Sequence, residues 1–136
     1  MDLELAKAAI KKCDIFRDVD EDALGVLLVE ARERTFHKGE IVYRRGEMAS
    51  DSFYLIVSGE MHVLHESGEL IKALGPTEII GEIGVISPKR LRTRDVIAGT
   101  ATEVLEWDVH TIQARSPELL ERLKDLAWQR ISDWPD

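Results

Sequence analysis

Two side chains of opposite charge, Glu82 and Arg92, stand ten residues apart in the stretch Gly81 to Val96, which reads GEIGVISPKRLRTRDV. Its first half, Gly81 to Ile86, is small and apolar with one carboxylate set in it. A glycine-opened turn of this kind lets successive backbone amides point at an anion, while Glu82 can accept hydrogen bonds from hydroxyls. After a turn at Ser87-Pro88 the chain returns with Arg92, and a guanidinium grips a phosphate through two parallel hydrogen bonds. One carboxylate and one arginine then converge on a single pocket, which suits a ligand carrying both a phosphate and a free ribose hydroxyl. Lys89-Arg90-Leu91-Arg92-Thr93-Arg94 holds four cations in six residues. On its own such a run reads as a solvated turn; ten residues after a Gly-Glu opening it reads as a ligand site.

A 3′,5′-cyclic nucleotide carries both groups. Gly81-Glu82-Ile83-Gly84, the following turn and Arg92-Thr93 resemble the phosphate-binding cassette of the cyclic nucleotide-binding domain family, as found in the sensor domain of Crp/Fnr-type regulators. Upstream, Lys38-Gly39-Glu40-Ile41-Val42-Tyr43, Gly46-Glu47, Asp51-Ser52-Phe53-Tyr54-Leu55-Ile56 and Ser58-Gly59 resemble that family's first β-roll strands. The resemblance implies that Glu82 binds the ribose 2′-hydroxyl, that Arg92 binds the exocyclic phosphate oxygens and that Thr93 adds to the phosphate contact. The ligand-binding set it implies is Gly81, Glu82, Ile83, Gly84, Arg92, Thr93 and Arg94. It also implies a last helix lying over the base, with Trp128, Arg130 and Trp134 as candidates to cap a purine.

Arg94 and Asp95 depart from the family pattern, which has a small residue and then often a hydroxyl residue there. Two readings are open. A cation followed by a carboxylate crowds the pocket and sets a negative charge beside the phosphate; or a strand has already begun, so that Arg94 shares a face with Arg92 and Asp95 points away.

The elements that must position these groups follow from periodicity. Leu3, Ala6 and Ile10 give a short amphipathic helix over 2–13. Asp20 is a good N-cap, with Glu21 and Asp22 in the first turn and Leu24, Leu27, Leu28 and Ala31 along one face, which predicts a helix over 20–33. After Thr35 the period becomes strand-like, and short apolar runs recur between glycines and charges as far as Val104-Leu105. That spacing predicts a β-roll over 35–108, with Phe53 to Val57 covered on both faces and a hairpin loop at His65 to Glu69. Ser116-Pro117-Glu118 opens a C-terminal helix over 117–132, with Leu120, Leu123, Ala127, Ile131 and Trp134 on one stripe. The fold class is therefore mainly β with flanking helices, a double-stranded β-helix or jelly-roll-like β-roll with N-terminal helices and a C-terminal helix.

At 136 residues the chain is the size of one domain. A net charge of −8 argues against direct nucleic-acid binding. No apolar window is long enough to cross a membrane, there is no secretory pattern after Met1, and the lone Cys13 cannot form an internal disulfide. Both latter features favour a cytoplasmic protein. His62 and His65 are an odd number apart on one strand, so they face opposite ways, against a metal site. Cys13 reads as an idle or buried thiol. No nucleophile elbow, Walker lysine loop or dinucleotide fingerprint is present, so the chain does not read as an enzyme, and it calls for no cofactor beyond its ligand.

The leading reading is a regulatory sensor for a cyclic nucleotide, cyclic AMP preferred to cyclic GMP, that signals by moving its C-terminal helix. The winged helix-turn-helix domain of the family's transcription factors is missing, so the chain is a stand-alone sensor or a piece of a larger protein, with an effector domain, a protein partner or a second copy as open partners. The rival reading is a nucleotide-free β-roll serving in protein interaction or dimerisation.

Overall fold

The computed structural model describes residues 1–83 and 91–133. Helix α1 (Leu3–Lys12) starts where the Asp2 carboxylate accepts from the amides of Glu4 and Leu5, and it buries Ala6, Ala9 and Ile10. A short 3₁₀ turn, Asp14–Phe16, follows and buries Ile15 and Phe16. Helix α2 (Glu21–Glu30) is capped by Asp20, whose side chain accepts from the Ala23 amide.

The sequence reading carried this second helix to 33, and the structure ends it at Glu30. Strand β1 (Arg32–Phe36) begins two residues later, so the roll opens at Arg32 rather than at 35. The cause is tertiary. Arg32 to Phe36 pairs antiparallel with Glu106 to Thr102, and that ladder overrides the helical propensity of Ala31-Arg32-Glu33-Arg34.

Among the described residues seven further strands build the roll: β2 (Ile41–Tyr43), β3 (Ser52–Ser58), β4 (Met61–Leu64), β5 (Leu70–Leu74), β6 (Ile79–Ile80), β7 (Asp95–Ala98) and β8 (Thr102–Asp108). They form two four-stranded antiparallel sheets, ordered β1-β8-β3-β6 and β2-β7-β4-β5. The hairpin between β4 and β5 closes through His65 N to Glu69 O and Gly68 N to His65 O. Helix α3 (Val109–Arg115), which no sequence period announced, and helix α4 (Pro117–Asp133) end the chain.

The layering follows from the strand period of two. On β3, Phe53, Leu55 and Val57 face a core shared with α1, α2, α3 and α4, whereas Tyr54 and Ile56 face a second core between the sheets. β3 is therefore covered on both faces, as its unbroken apolar run requires. Trp107 anchors the helical layer. Its ring lies 5.2 Å from Phe16 and 5.9 Å from Phe53, and its Nε1 donates to the Leu27 carbonyl at 2.9 Å. Among the described residues no helix is long and apolar enough to cross a membrane, and no group of three or more potential metal ligands gathers.

Candidate functional site

β6 delivers Ile79 to the helical core and Ile80 to the inter-sheet core, and the chain then turns sharply at Gly81, with φ of 98°. Only glycine fits there. A Cβ would stand 2.5 Å from the Tyr43 hydroxyl and 3.4 Å from the Phe53 Cα, in a backbone region that side chains rarely adopt. The turn places Glu82 inside the protein, where it is 1% exposed.

Arg92 arrives from the other side and is fixed by backbone and side chain together. Its amide donates to the Glu47 carbonyl at 2.8 Å, and its own carbonyl accepts from Gly46 at 2.9 Å. The guanidinium, 5% exposed, donates from Nη1 to the Gly81 carbonyl at 3.1 Å and from Nη2 to Ser50 Oγ at 3.0 Å. Its Cζ lies 3.7 Å from the centroid of the Tyr43 ring, a cation–π contact away from bulk water. Behind Ser50 a polar chain continues: Ser50 Oγ and Ser52 Oγ are 3.1 Å apart, and Ser52 donates to the buried Glu106 carboxylate at 2.8 Å.

Gly81, Glu82, Ile83, Arg92, Thr93 and Arg94 line one cavity, together with Tyr43, Val63, Ile80 and Val96. The structure thus brings six of the seven expected binding residues to one place. Gly84, the seventh, lies outside the described residues, as do the Ser87-Pro88 turn, Lys89 and Arg90. Strand β7 begins only at Asp95, whose carboxylate accepts from the Arg45 amide at 2.8 Å and is not part of the cavity lining, whereas Arg94 precedes the strand and lines the cavity with Arg92. The cavity is partly open and its volume is about 30 Å³, room for about one or two waters.

The wall with a partner outside the roll is Glu82. Arg130 of α4, 9% exposed, sets Nη1 at 2.6 Å from Glu82 Oε1 and donates from the same nitrogen to the Ile79 carbonyl. The ion pair compensates the charge, but neither Glu82 oxygen accepts a hydrogen bond among the described residues. Of the three expected base-capping residues, Arg130 therefore reaches the site through the carboxylate. Trp128 is 59% exposed and lies two helical positions away, on the opposite side of α4. Trp134 lies outside the described residues. Cavities of about 410 and 440 Å³ flank Arg130 where α4 faces the 3₁₀ turn and the β5–β6 connection. Cys13 lines the first of these, and burial pushes its thiol up to about 11, the opposite of activation by Lys11 and Lys12.

Sequence reasoning missed two members of the site. In the sequence Tyr43 reads only as part of a strand, although an aromatic ending a run that leads into Gly46 is a visible feature. Ser50 carries no local signal, because its partner is 42 residues away.

The cyclic nucleotide-binding domain family matches residues 33–115. The chain belongs to that family. The match covers the roll, the cassette and α3, and ends before α4, so Arg130 lies beyond it. The chain is 28% identical over 140 residues to a CRP-like cAMP-activated global transcriptional regulator of Mycobacterium tuberculosis, across 96% of this chain and 58% of the relative. It thus spans little more than half the length of that relative. Two solved structures share the fold. One is Sp-2Cl-cAMPS bound to PKAR CBD2, with a TM-score of 0.75 at 17% identity, covering 96% of this chain and 84% of that one. The other is the Thermus thermophilus catabolite activator protein, with a TM-score of 0.73 at 21% identity, covering 88% and 58%.

Proposed function

We propose that this cyclic nucleotide-binding domain is a sensor that takes cyclic AMP in preference to cyclic GMP and passes its occupancy to α4. The observation that carries this reading is the burial of a carboxylate and a guanidinium on the wall of one cavity, within the stretch that the family matches. Arg92 uses two of its five N–H groups on Gly81 and Ser50, and the rest suit a phosphate. Glu82, ion-paired with Arg130 but accepting no hydrogen bond among the described residues, suits a ribose hydroxyl. Cyclic AMP is preferred because the Mycobacterium tuberculosis relative is described as cAMP-activated; Thr93, on the cavity wall with Arg92, suits the phosphate that both nucleotides share.

Signalling through α4 follows from the Glu82–Arg130 pair. A ribose hydroxyl bonding to Glu82 competes with Arg130 for the same oxygens, so ligand affinity differs between the paired and unpaired arrangements. That difference is what a population shift requires. The small cavity favours the second reading, a nucleotide-free interaction module. Calorimetric titration with cyclic AMP, cyclic GMP and linear AMP separates the two. The sensor reading expects binding in the micromolar range or tighter for a cyclic form and none for linear AMP; no heat and no thermal shift with either cyclic form would leave the interaction module as the better reading.

A further inference from the structure

The Tyr43 ring is held on several sides. It stacks on Tyr54 at 5.8 Å with an interplanar angle of 11°, and the Arg92 guanidinium packs against it. Its hydroxyl end points toward the turn at Gly81, on the wall of the same cavity as Glu82 and Arg92. The residue is 6% exposed, and its oxygen has no hydrogen-bond partner among the described residues.

A buried hydroxyl without a partner is unfavourable, and phenylalanine would keep both ring contacts without that cost. The Gly81 carbonyl, in the same turn, accepts from Arg92. Among the described residues nothing accepts from this hydroxyl, so a bound ligand is a natural acceptor for it. It lies at the cationic end of the cavity, where Arg92 would draw an anion. We propose that the Tyr43 hydroxyl donates a hydrogen bond to a phosphate oxygen of the bound cyclic nucleotide, as a second side-chain anchor beside Arg92. The inference rests on the cyclic-nucleotide reading of the site. Burial raises the Tyr43 hydroxyl well above the usual phenol range, so it remains a donor across ordinary pH.

The test compares the wild-type chain with Tyr43→Phe, titrated with cyclic AMP and with its Sp and Rp phosphorothioates, alongside thermal unfolding without ligand. Tyr43→Phe is expected to bind cyclic AMP roughly ten- to a hundredfold more weakly, as for a lost hydrogen bond to a charged group. Its unfolding temperature should be equal to or above wild type. Sulfur at the oxygen facing Tyr43 should weaken wild type more than the variant, so one diastereomer's penalty shrinks in Tyr43→Phe. Equal cyclic AMP affinity in the two proteins would overturn the proposal and assign the hydroxyl to a water or to packing alone. Failure of wild type to bind any cyclic nucleotide would instead overturn the reading beneath it, and the proposal with it. Should the variant not fold, proton NMR of wild type decides: a slowly exchanging Tyr43 hydroxyl proton in the cyclic AMP complex supports the contact, and its absence overturns it.

Discussion

The two ends of the cassette are built differently. Arg92 is held by the roll itself, through backbone bonds to the turn at Gly46-Glu47 and side-chain contacts with Ser50, Gly81 and Tyr43. Glu82 is held by Arg130, a residue of the terminal helix outside the roll. The contrast teaches a division of labour. An end fixed within one rigid sheet pair can bind charge without moving, whereas an end whose partner sits on another element can change when that element moves. Helix α4 is itself divided in the same way: Leu119, Leu120, Leu123 and Ala127 are buried, while Trp128 and Ile131 beyond them are exposed and cavities flank Arg130.

Breaking the adjustable end should have the largest effect on the fold. Arg130→Met leaves Glu82 buried without a counter-charge and should cost about 3–5 kcal/mol in urea unfolding. Adding Glu82→Gln should restore part of that loss, and a coupling of about 1 kcal/mol or more in the double-mutant cycle would establish the pair as the linkage. Additive effects would break the comparison.

At the rigid end, Arg92→Ala should weaken cyclic AMP binding by about 2–5 kcal/mol, or roughly 30- to several-thousand-fold by calorimetry. Ser50→Ala tests whether that arginine is positioned rather than merely present. It should cost about 1–2 kcal/mol of affinity with little change in unfolding, since Ser50 itself lies at the surface. The smallest effect belongs to Trp128→Ala. Its ring is turned away from the cassette, so stability should change by no more than about 0.5 kcal/mol, with cyclic AMP affinity unchanged. A marked affinity loss would instead bring back the expectation that Trp128 caps the base.

The roll was legible in the sequence wherever a local pattern carried the information. Phe53 to Val57 is apolar without a break because both faces of β3 are covered, and Ser67-Gly68 marks the hairpin between β4 and β5. The end of α2 was not legible, because Arg32 becomes strand only through a partner more than seventy residues later. Likewise Glu82 and Arg92 stand out, since both fall in one short run beside a glycine that the turn requires. The partners of these two residues do not: Ser50, Tyr43 and Arg130 meet them across the fold. Arg130 shows the limit well, for helical spacing says which face a residue occupies but not which group it will meet there.

The division of labour is tested most directly by a pulsed-EPR distance between spin labels at Leu70 on β5 and Trp128 on α4, both exposed, in a Cys13→Ala background. With cyclic AMP at a concentration shown by calorimetry to saturate the site, the distance distribution should shift by several ångströms, on the order of a helix displacement within a domain. A distribution that stays the same with and without bound cyclic AMP would contradict it, and would leave Glu82 and Arg130 as a static pair beneath a site that does not signal through α4.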